Sequence, residues 1–309
     1  MLDTTMMCEY TQHMISLPKT YGHIIEQMMH NSQKQHVIDE TNVWQEGNSV
    51  NRHLFYKIVE GLMLPGSQVT GIEHLVELYH RAQKGEACLL LSEHYSNFDL
   101  PVIFGLIEAA HKEGPQIAEA LVAIAGFKLN ESSPVVLAFA EAFSRIIIYP
   151  SRSIEALPEG AEKEAELKRA QKINLASMKA LSKAKTSGKI VLVFPSGTRY
   201  RPGKPETKKG VKEIDSYMKS FDCMVMLSLN GNTLRVTEAA DMTEDEAQQD
   251  VMVVGASPVM DCSLFRKAAQ EACPEGLDSK QFTVDRVMEE LERLHEANEP
   301  LRLKHLPKS

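Results

Sequence analysis

The sequence has few cysteines, no long apolar run and no excess of positive charge, and each absence argues against a class of protein. Its five cysteines among 309 residues include no pair at CxxC spacing, which predicts free thiols without a disulfide framework or a zinc site. Apolar runs such as residues 190–194 are far shorter than the ~20 residues that span a bilayer. The formal net charge of -8 argues against a surface built as a whole to bind nucleic acid or anionic lipid, so any basic site must be local.

The first ten residues, MLDTTMMCEY, lack the basic segment and apolar stretch of a secretory signal. We therefore expect a cytoplasmic protein, or one from a similar compartment such as the plastid stroma. Such a protein meets a membrane only from outside, as a peripheral contact.

Apolar patterning predicts a small N-terminal helical domain followed by a larger α/β domain. In the first part of the chain, apolar positions such as Leu54, Ile58 and Leu62 recur at helical spacing. Further along, short apolar runs alternate with longer segments of helical period. This alternation predicts a mixed, largely parallel sheet flanked by helices. The predicted domains are residues 1–68 and residues 69–309.

Four apolar runs have the composition of buried strands. They are CLLLS (88–92), LVAIAGF (121–127), RIIIYP (145–150) and KIVLVFP (189–195). Polar clusters follow the first, third and fourth of these runs. Because ligands of parallel α/β sheets bind outside the carboxyl ends of the strands, we expect the three clusters to meet at one edge of the sheet.

The first cluster, EHYSNFD, contains His94 and Asp99. On a turn from a strand into a helix, the carboxylate can accept a hydrogen bond from one imidazole nitrogen. The other nitrogen is then free to take a proton from an attacking hydroxyl group, which the substrate can supply. A structural alternative stays open, because an Asp in the first turn of a helix also interacts favourably with the helix dipole and with free amides.

Arginines mark the other two clusters. Arg199 and Arg201 lie beside Gly197 in the segment PSGTRYRPG, and Arg152 follows the run RIIIYP. Guanidinium groups next to exposed backbone amides suit a phosphate group. The alternative is a solvated basic loop without a ligand.

The segment HYSNFD resembles the first motif of the glycerophospholipid acyltransferase superfamily. In that motif a His and an Asp are separated by four residues, often with a Ser two positions after the His. His94, Ser96 and Asp99 match this pattern.

The segment FPSGTR resembles the third motif of the same superfamily, which usually reads FPEGTR. Ser196 replaces the glutamate, while Gly197, Thr198 and Arg199 are retained. The soluble glycerol-3-phosphate acyltransferases of chloroplasts have a segment similar to PSGGRDRP, and PSGTRYRP keeps both of its arginines and its proline. The likeness to those enzymes covers roughly residues 87–232.

The resemblance implies a reaction and a role for each motif residue. His94 would deprotonate the sn-1 hydroxyl of glycerol 3-phosphate, and Asp99 would orient the imidazole. The hydroxyl would attack the thioester of acyl carrier protein or coenzyme A, with no cofactor and no metal. Arg199 and Arg201, with Arg152, would bind the acceptor phosphate.

Three other functions stay open at this point. The second acylation, on lysophosphatidate, uses an acceptor that also carries a phosphate. A serine hydrolase would use Ser196 with His94, although the chain lacks the GxSxG elbow. A non-catalytic acyl-carrier or membrane-binding module would have kept only the fold.

An acidic acyl carrier protein requires basic residues on its partner, and the C-terminal tail is a further candidate surface. We expect the tail LRLKHLPKS to be disordered, with contact to an anionic membrane as the alternative. The candidate docking residues form two groups, Lys204, Lys208, Lys209 and Lys212 in one and Lys163, Lys168, Arg169 and Lys172 in the other.

Overall fold

A computed structural model describes residues 14–32, 37–130, 133–235 and 245–307 of the chain. Parts of two predictions, the start of the N-terminal region with Cys8 and the final Lys308 and Ser309, lie outside the described residues. The helices are α1 (Leu17–Asn31), α2 (Ser49–Leu62), α3 (Ile72–Gln83), α4 (Asp99–Ala110), α5 (Gly114–Ala120), α6 (Pro134–Ala140), α7 (Ser151–Glu155), α8 (Ala161–Thr186), α9 (Glu213–Lys219), α10 (Cys262–Glu271) and α11 (Ser279–His305). The strands are β1 (Met14–Ile15), β2 (Trp44–Gln45), β3 (Gln68–Thr70), β4 (Cys88–Ser92), β5 (Leu121–Gly126), β6 (Arg145–Ile148), β7 (Ile190–Val193), β8 (Cys223–Asn230), β9 (Leu234–Arg235), β10 (Glu246–Gln248), β11 (Val253–Ala256) and β12 (Met260–Asp261).

A mixed, largely parallel sheet lies at the centre of the structure, which confirms the predicted fold class. Its strand order is β2-β6-β5-β7-β4-β8-β11-β3, and β12 also pairs with β8. The five strands from β6 to β8 in this order are parallel to one another, whereas β2 and β11 pair in the antiparallel sense. A small antiparallel sheet, β1-β10-β9, is separate from it.

Helices cover both faces of the main sheet, and the alternation of side chains along each strand separates two apolar clusters. Leu90 of β4 belongs to a cluster with residues of α1 to α6. Its neighbours Leu89 and Leu91 belong to a second cluster with residues of α9 and α11. Because both faces are covered, β4 and β7 are buried along their whole length, as expected for continuous apolar runs.

The N-terminal helices share an apolar cluster with the α/β part of the chain. Ile25 of α1 and Phe55 of α2 belong to the same cluster as Phe104 of α4. The ring of Phe55 stacks on that of Phe139 in α6, with ring centroids 4.4 Å apart. The predicted division of the chain at residue 68 stays a prediction.

The C-terminal segment is helical farther than we expected. α11 continues through LRLKH to His305, so the prediction of a disordered tail is wrong for these residues. Side chains of the last turns are tied to the sheet. Arg302 forms two hydrogen bonds of 2.9 Å with the buried carboxylate of Asp250, and Asn298 accepts a hydrogen bond from Thr70.

The structure bears on two expectations from the sequence, free cysteine thiols and the lack of a membrane-spanning segment. Cys88, Cys223 and Cys262 are buried free thiols, and Cys273 is a free thiol at intermediate exposure. Within the described ranges, no helix has both the length and the apolarity that a membrane crossing requires.

Candidate active site

The candidate site lies at the carboxyl ends of β4 and β7, which are parallel neighbours in the sheet. His94 lies just beyond the end of β4, and Ser196 lies just beyond the end of β7. The backbone N–H of Tyr200 donates a 2.8 Å hydrogen bond to the carbonyl of His94. The two polar clusters that follow these strands are therefore joined through their backbones.

His94 and Asp99 form a hydrogen-bonded pair. His94 Nδ1 lies 2.8 Å from Asp99 Oδ2, and the side chain of Asp99 is only 5% exposed. Because an ionised carboxylate can only accept, this contact assigns the imidazole proton to Nδ1 and leaves the Nε2 lone pair free to act as a base. The side chain of His94 keeps 19% exposure, enough for contact with a bound substrate.

Asp99 is also the first residue of α4, so both sequence interpretations of this residue describe real features. Its carboxylate, however, points back into the turn that precedes the helix. Oδ2 accepts hydrogen bonds from the backbone N–H of Tyr95 at 2.6 Å and of Ser96 at 3.0 Å. Oδ1 accepts a hydrogen bond from Ser96 Oγ at 3.0 Å. Hydrogen bonds from the turn therefore hold the carboxylate of Asp99 in place, and the carboxylate in turn orients the imidazole of His94.

A stacked aromatic ring sets the plane of the imidazole. The ring of Phe194, the residue after β7, lies 3.9 Å from that of His94, centroid to centroid, with 14° between the planes. With Asp99 at one nitrogen and Phe194 against one face, His94 is held from two directions. Such constraint keeps a general base in one orientation for proton transfer.

The segment after β7, residues 195–203, forms a loop that we call the glycine loop. Gly197 has a φ angle of +59°, a backbone conformation that favours glycine. Ser196 Oγ donates a 2.6 Å hydrogen bond to the carbonyl of Thr198 inside the same turn. The hydroxyl of Ser196 is therefore oriented toward its own loop, which does not support a role as a nucleophile activated by His94.

Two of the three predicted arginines, Arg199 and Arg201, belong to the glycine loop, and Arg152 contacts it from outside. Arg152 lies on the short helix α7, whereas the sequence suggested a loop there, and its Nη2 donates to the carbonyl of Gly197. The Nη1 of Arg199 is paired with the buried carboxylate of Asp245. The backbone N–H of Arg201 donates to Thr207 Oγ1 at 2.9 Å.

A cavity of about 320 Å³ lies beside His94. It is lined by residues 92–95, by parts of the segment 195–210 and by one side of α11. Lys208 and Lys209 contribute to its wall, and Lys208 Nζ pairs with Glu292 of α11 at 2.6 Å. None of the three arginines lines this cavity. Within the described ranges, no group of three or more His, Cys, Asp and Glu side chains is arranged to hold a metal ion.

A second histidine–carboxylate pair, which the sequence analysis missed, lies next to the first. Glu93 is buried, and its Oε2 lies 2.8 Å from Nδ1 of His295 in α11. The same carboxylate accepts hydrogen bonds from Tyr95 Oη and from the backbone N–H of Leu229, both at 2.8 Å. Burial lowers the pKa of His295, but the hydrogen bond and the charge of Glu93 outweigh this effect and raise it. No local pattern connects residues 202 positions apart.

The geometry places a hydrogen-bonded histidine–carboxylate pair and a glycine loop side by side at the carboxyl edge of an α/β sheet. Comparison with protein families identifies the class, since residues 67–226 match the family model described as Acyltransferase. The matched span is more than half of the chain and includes both motifs. The protein therefore belongs to the Acyltransferase family, in agreement with the resemblance to the glycerophospholipid acyltransferase superfamily. A comparison with curated proteins finds no match.

Proposed function

We propose that this acyltransferase transfers a fatty acyl group from acyl carrier protein or coenzyme A to the sn-1 hydroxyl of glycerol 3-phosphate. The reaction is the first acylation of phospholipid biosynthesis. The observation that carries the proposal is the hydrogen bond between His94 and the buried Asp99, next to a glycine loop with arginines around it.

The mechanism follows from the orientation of the imidazole. Nε2 of His94 takes the proton of the acceptor hydroxyl as its oxygen attacks the thioester carbonyl. A C–O bond forms, the C–S bond breaks, and the imidazolium returns the proton to the departing thiolate. The carboxylate of Asp99 stabilises the imidazolium between the two steps. No acyl-enzyme intermediate is required, so Ser196 has no covalent role.

Phosphate recognition is assigned to the arginines around the glycine loop. Asp245 occupies Nη1 of Arg199, and a guanidinium group has donors on all three of its nitrogens. Nε and Nη2 of Arg199 would therefore donate to two phosphate oxygens while Asp245 holds the group in place. Arg201 and Arg152 would add further positive charge at the same loop.

The preference for glycerol 3-phosphate over lysophosphatidate rests on the glycine loop. Ser196 replaces the usual glutamate of the motif, and the continuation to Arg201 and Pro202 is similar to the soluble plastid enzymes. For the acyl donor, the lysines that follow this loop are the better placed of the two candidate groups. Lys208 and Lys209 lie at the cavity beside His94, where the thioester must arrive.

The acceptor is tested by measuring acyl transfer to glycerol 3-phosphate and to 1-acyl-glycerol 3-phosphate, each with acyl carrier protein and coenzyme A donors. We expect turnover of glycerol 3-phosphate, and loss of ~10²- to 10⁴-fold in kcat for His94→Ala, since general base catalysis has that magnitude. Turnover of lysophosphatidate alone would overturn the choice of acceptor.

Ser196→Ala separates acyl transfer from the serine hydrolase alternative. Because the hydroxyl of Ser196 is bonded to the carbonyl of Thr198, we expect its removal to lower kcat by less than ~10-fold, within the cost of one neutral hydrogen bond. Abolished activity in a folded Ser196→Ala variant, together with ester hydrolysis by the wild type, would favour the hydrolase.

A further inference from the structure

The outward face of α8 differs from the rest of this acidic protein. From residue 165 to residue 186, no exposed position of the helix carries an acidic side chain. Three large apolar side chains protrude there, Leu167 at 44%, Leu175 at 58% and Met178 at 67% exposure. The exposed cations of the same stretch are Lys168, Lys172, Lys179 and Lys183.

These residues form two adjacent ridges along the helix. At about 100° per residue, Leu167, Leu175 and Met178 fall within an arc of about 80°. The four lysines fall within the next arc of about 60°, on one side of the apolar ridge. The combined surface runs for about 24 Å from residue 167 to residue 183, at 1.5 Å per residue. We call this surface the α8 face.

Two cations of the helix outside the α8 face are paired with acidic neighbours. Lys163 pairs with Glu159, and Arg169 pairs with Glu166. Within the α8 face, Lys172 has Glu40 at 3.8 Å. Within the part of the chain that the structure describes, no ion pair is formed by Lys168, Lys179 or Lys183. The face therefore combines uncompensated positive charge with exposed apolar surface.

We propose that the α8 face docks on the surface of an anionic lipid membrane. Lysines attract anionic headgroups, and adjacent leucine and methionine side chains enter the boundary between headgroups and acyl chains. A net charge of -8 opposes any general attraction to such a membrane, so contact requires a local face such as this one, where exposed acidic side chains are missing from residue 165 to residue 186.

The shape of the face favours lipid over an acidic protein partner. Leu175 and Met178 project from the helix surface with 58% and 67% of their surface exposed. A fluid headgroup layer closes around protruding side chains without a preformed pocket, whereas a folded partner needs matching concavities.

Docking by this face would orient the candidate active site. Glu166 near the start of α8 accepts a 2.6 Å hydrogen bond from the hydroxyl of Tyr149, the residue that follows the carboxyl end of β6. The beginning of α8 thus lies next to the carboxyl edge of the sheet. A membrane bound along α8 would be close to the site from which an acylated, membrane-soluble product leaves. The docking surface itself is independent of which acceptor the enzyme uses.

Vesicle co-sedimentation of the full chain tests the proposal. The vesicles contain either phosphatidylcholine alone or phosphatidylcholine with phosphatidylglycerol. We expect binding only to the anionic vesicles. The triple variant K168Q/K179Q/K183Q should bind on the order of 100-fold more weakly, since each lysine near an anionic surface contributes about a factor of five.

Two matched controls separate the α8 face from general charge and apolarity. K57Q/K84Q/K280Q removes three exposed lysines on or beside other helices, and Leu264→Ser removes an apolar side chain that is also 67% exposed. Both should bind like the wild type, whereas Leu175→Ser with Met178→Ser should weaken binding. Acyl transfer from acyl coenzyme A to glycerol 3-phosphate should stay unchanged in the variant K179Q/K183Q, because neither lysine is among the candidate docking residues for acyl carrier protein.

Three results would overturn the proposal. The first is equal binding of the two triple variants, and the second is equal binding of the wild type to neutral and anionic vesicles. The third is no vesicle binding together with binding of an acidic acyl carrier protein that the α8 variant loses. That outcome would assign the face to a protein partner. Failure of the proposed acyl transfer would appear in the soluble assay alone.

Discussion

At the scale of single residues, Asp99 has two tasks, because its carboxylate orients His94 and accepts hydrogen bonds from the preceding turn. Asp99→Asn keeps the size of the side chain but removes the charge that stabilises an imidazolium. We expect kcat to fall by ~10²- to 10⁴-fold, with little change in the KM for the acceptor. Steady-state kinetics with a circular dichroism check of folding measures this.

The control for this prediction is Asp39→Asn, the same exchange in an exposed loop far along the chain from His94. It should leave kcat within about twofold of the wild-type value, since exposed polar substitutions away from a site have small effects. Equal kinetics for Asp99→Asn and Asp39→Asn would contradict the role of Asp99.

Local spacing was enough to predict the contact between His94 and Asp99, because five residues on one turn bring the two side chains together. It was not enough for Arg199. Its partner, Asp245, lies 46 residues later in a segment with no distinguishing pattern. The sequence therefore indicated which arginine to consider but not that a buried carboxylate already holds one of its nitrogens. The catalytic and binding roles of these residues stay predictions.

At the scale of elements, the apolar runs predicted β4, β5, β6 and β7 to within two residues at each end, since continuous leucine, isoleucine and valine in short runs suit a buried parallel strand. Short edge strands such as β3 and β12 were missed. They span two or three residues each, too few for a period to be visible. Their place in the sheet depends on contacts with β8 and β11, which are distant in the chain.

The helix α11 is attached to the site through His295, which faces Glu93, Glu292, Glu299 and Tyr95. Because the pKa of His295 is raised in the folded protein, its protonated form contributes stability. This contribution is complete below the unfolded pKa of about 6.5 and is lost as the pH rises through the folded value. We expect His295→Gln to lower the free energy of unfolding more at pH 5.5 than at pH 9.

Urea denaturation at the two pH values measures the difference. His23→Gln, at an exposed histidine on α1, is the matched control and should change the free energy of unfolding little, since exposed polar substitutions away from special features have small effects. A loss of stability for His295→Gln that does not depend on pH would show that its side chain acts by packing alone, which contradicts the ion pair with Glu93.

At the scale of the whole molecule, Asp250 connects parts of the chain that are far apart in sequence. Its backbone exchanges hydrogen bonds with Leu62 and Leu64 at the end of α2, and its carboxylate accepts from the N–H of Asn232. The same carboxylate accepts hydrogen bonds from Arg302 near the end of α11. The end of α2, the region after β8 and the C-terminal helix therefore meet at one buried charge.

Arg302→Met removes the cation from this junction and leaves the carboxylate of Asp250, which is only 2% exposed, without a compensating positive charge. Because an unpaired buried charge is costly, we expect the free energy of unfolding to fall by about 3 kcal/mol. The matched control is Arg286→Met, which breaks an exposed pair with Glu289 on the same helix and should cost no more than about 1 kcal/mol. Urea denaturation compares the two variants.

Similar losses of unfolding free energy would mean that the ion pair between Arg302 and Asp250 does not stabilise the contact between α11 and the end of α2. A larger loss for Arg302→Met, with one cooperative transition, would show that α11 and the N-terminal helices unfold together with the sheet.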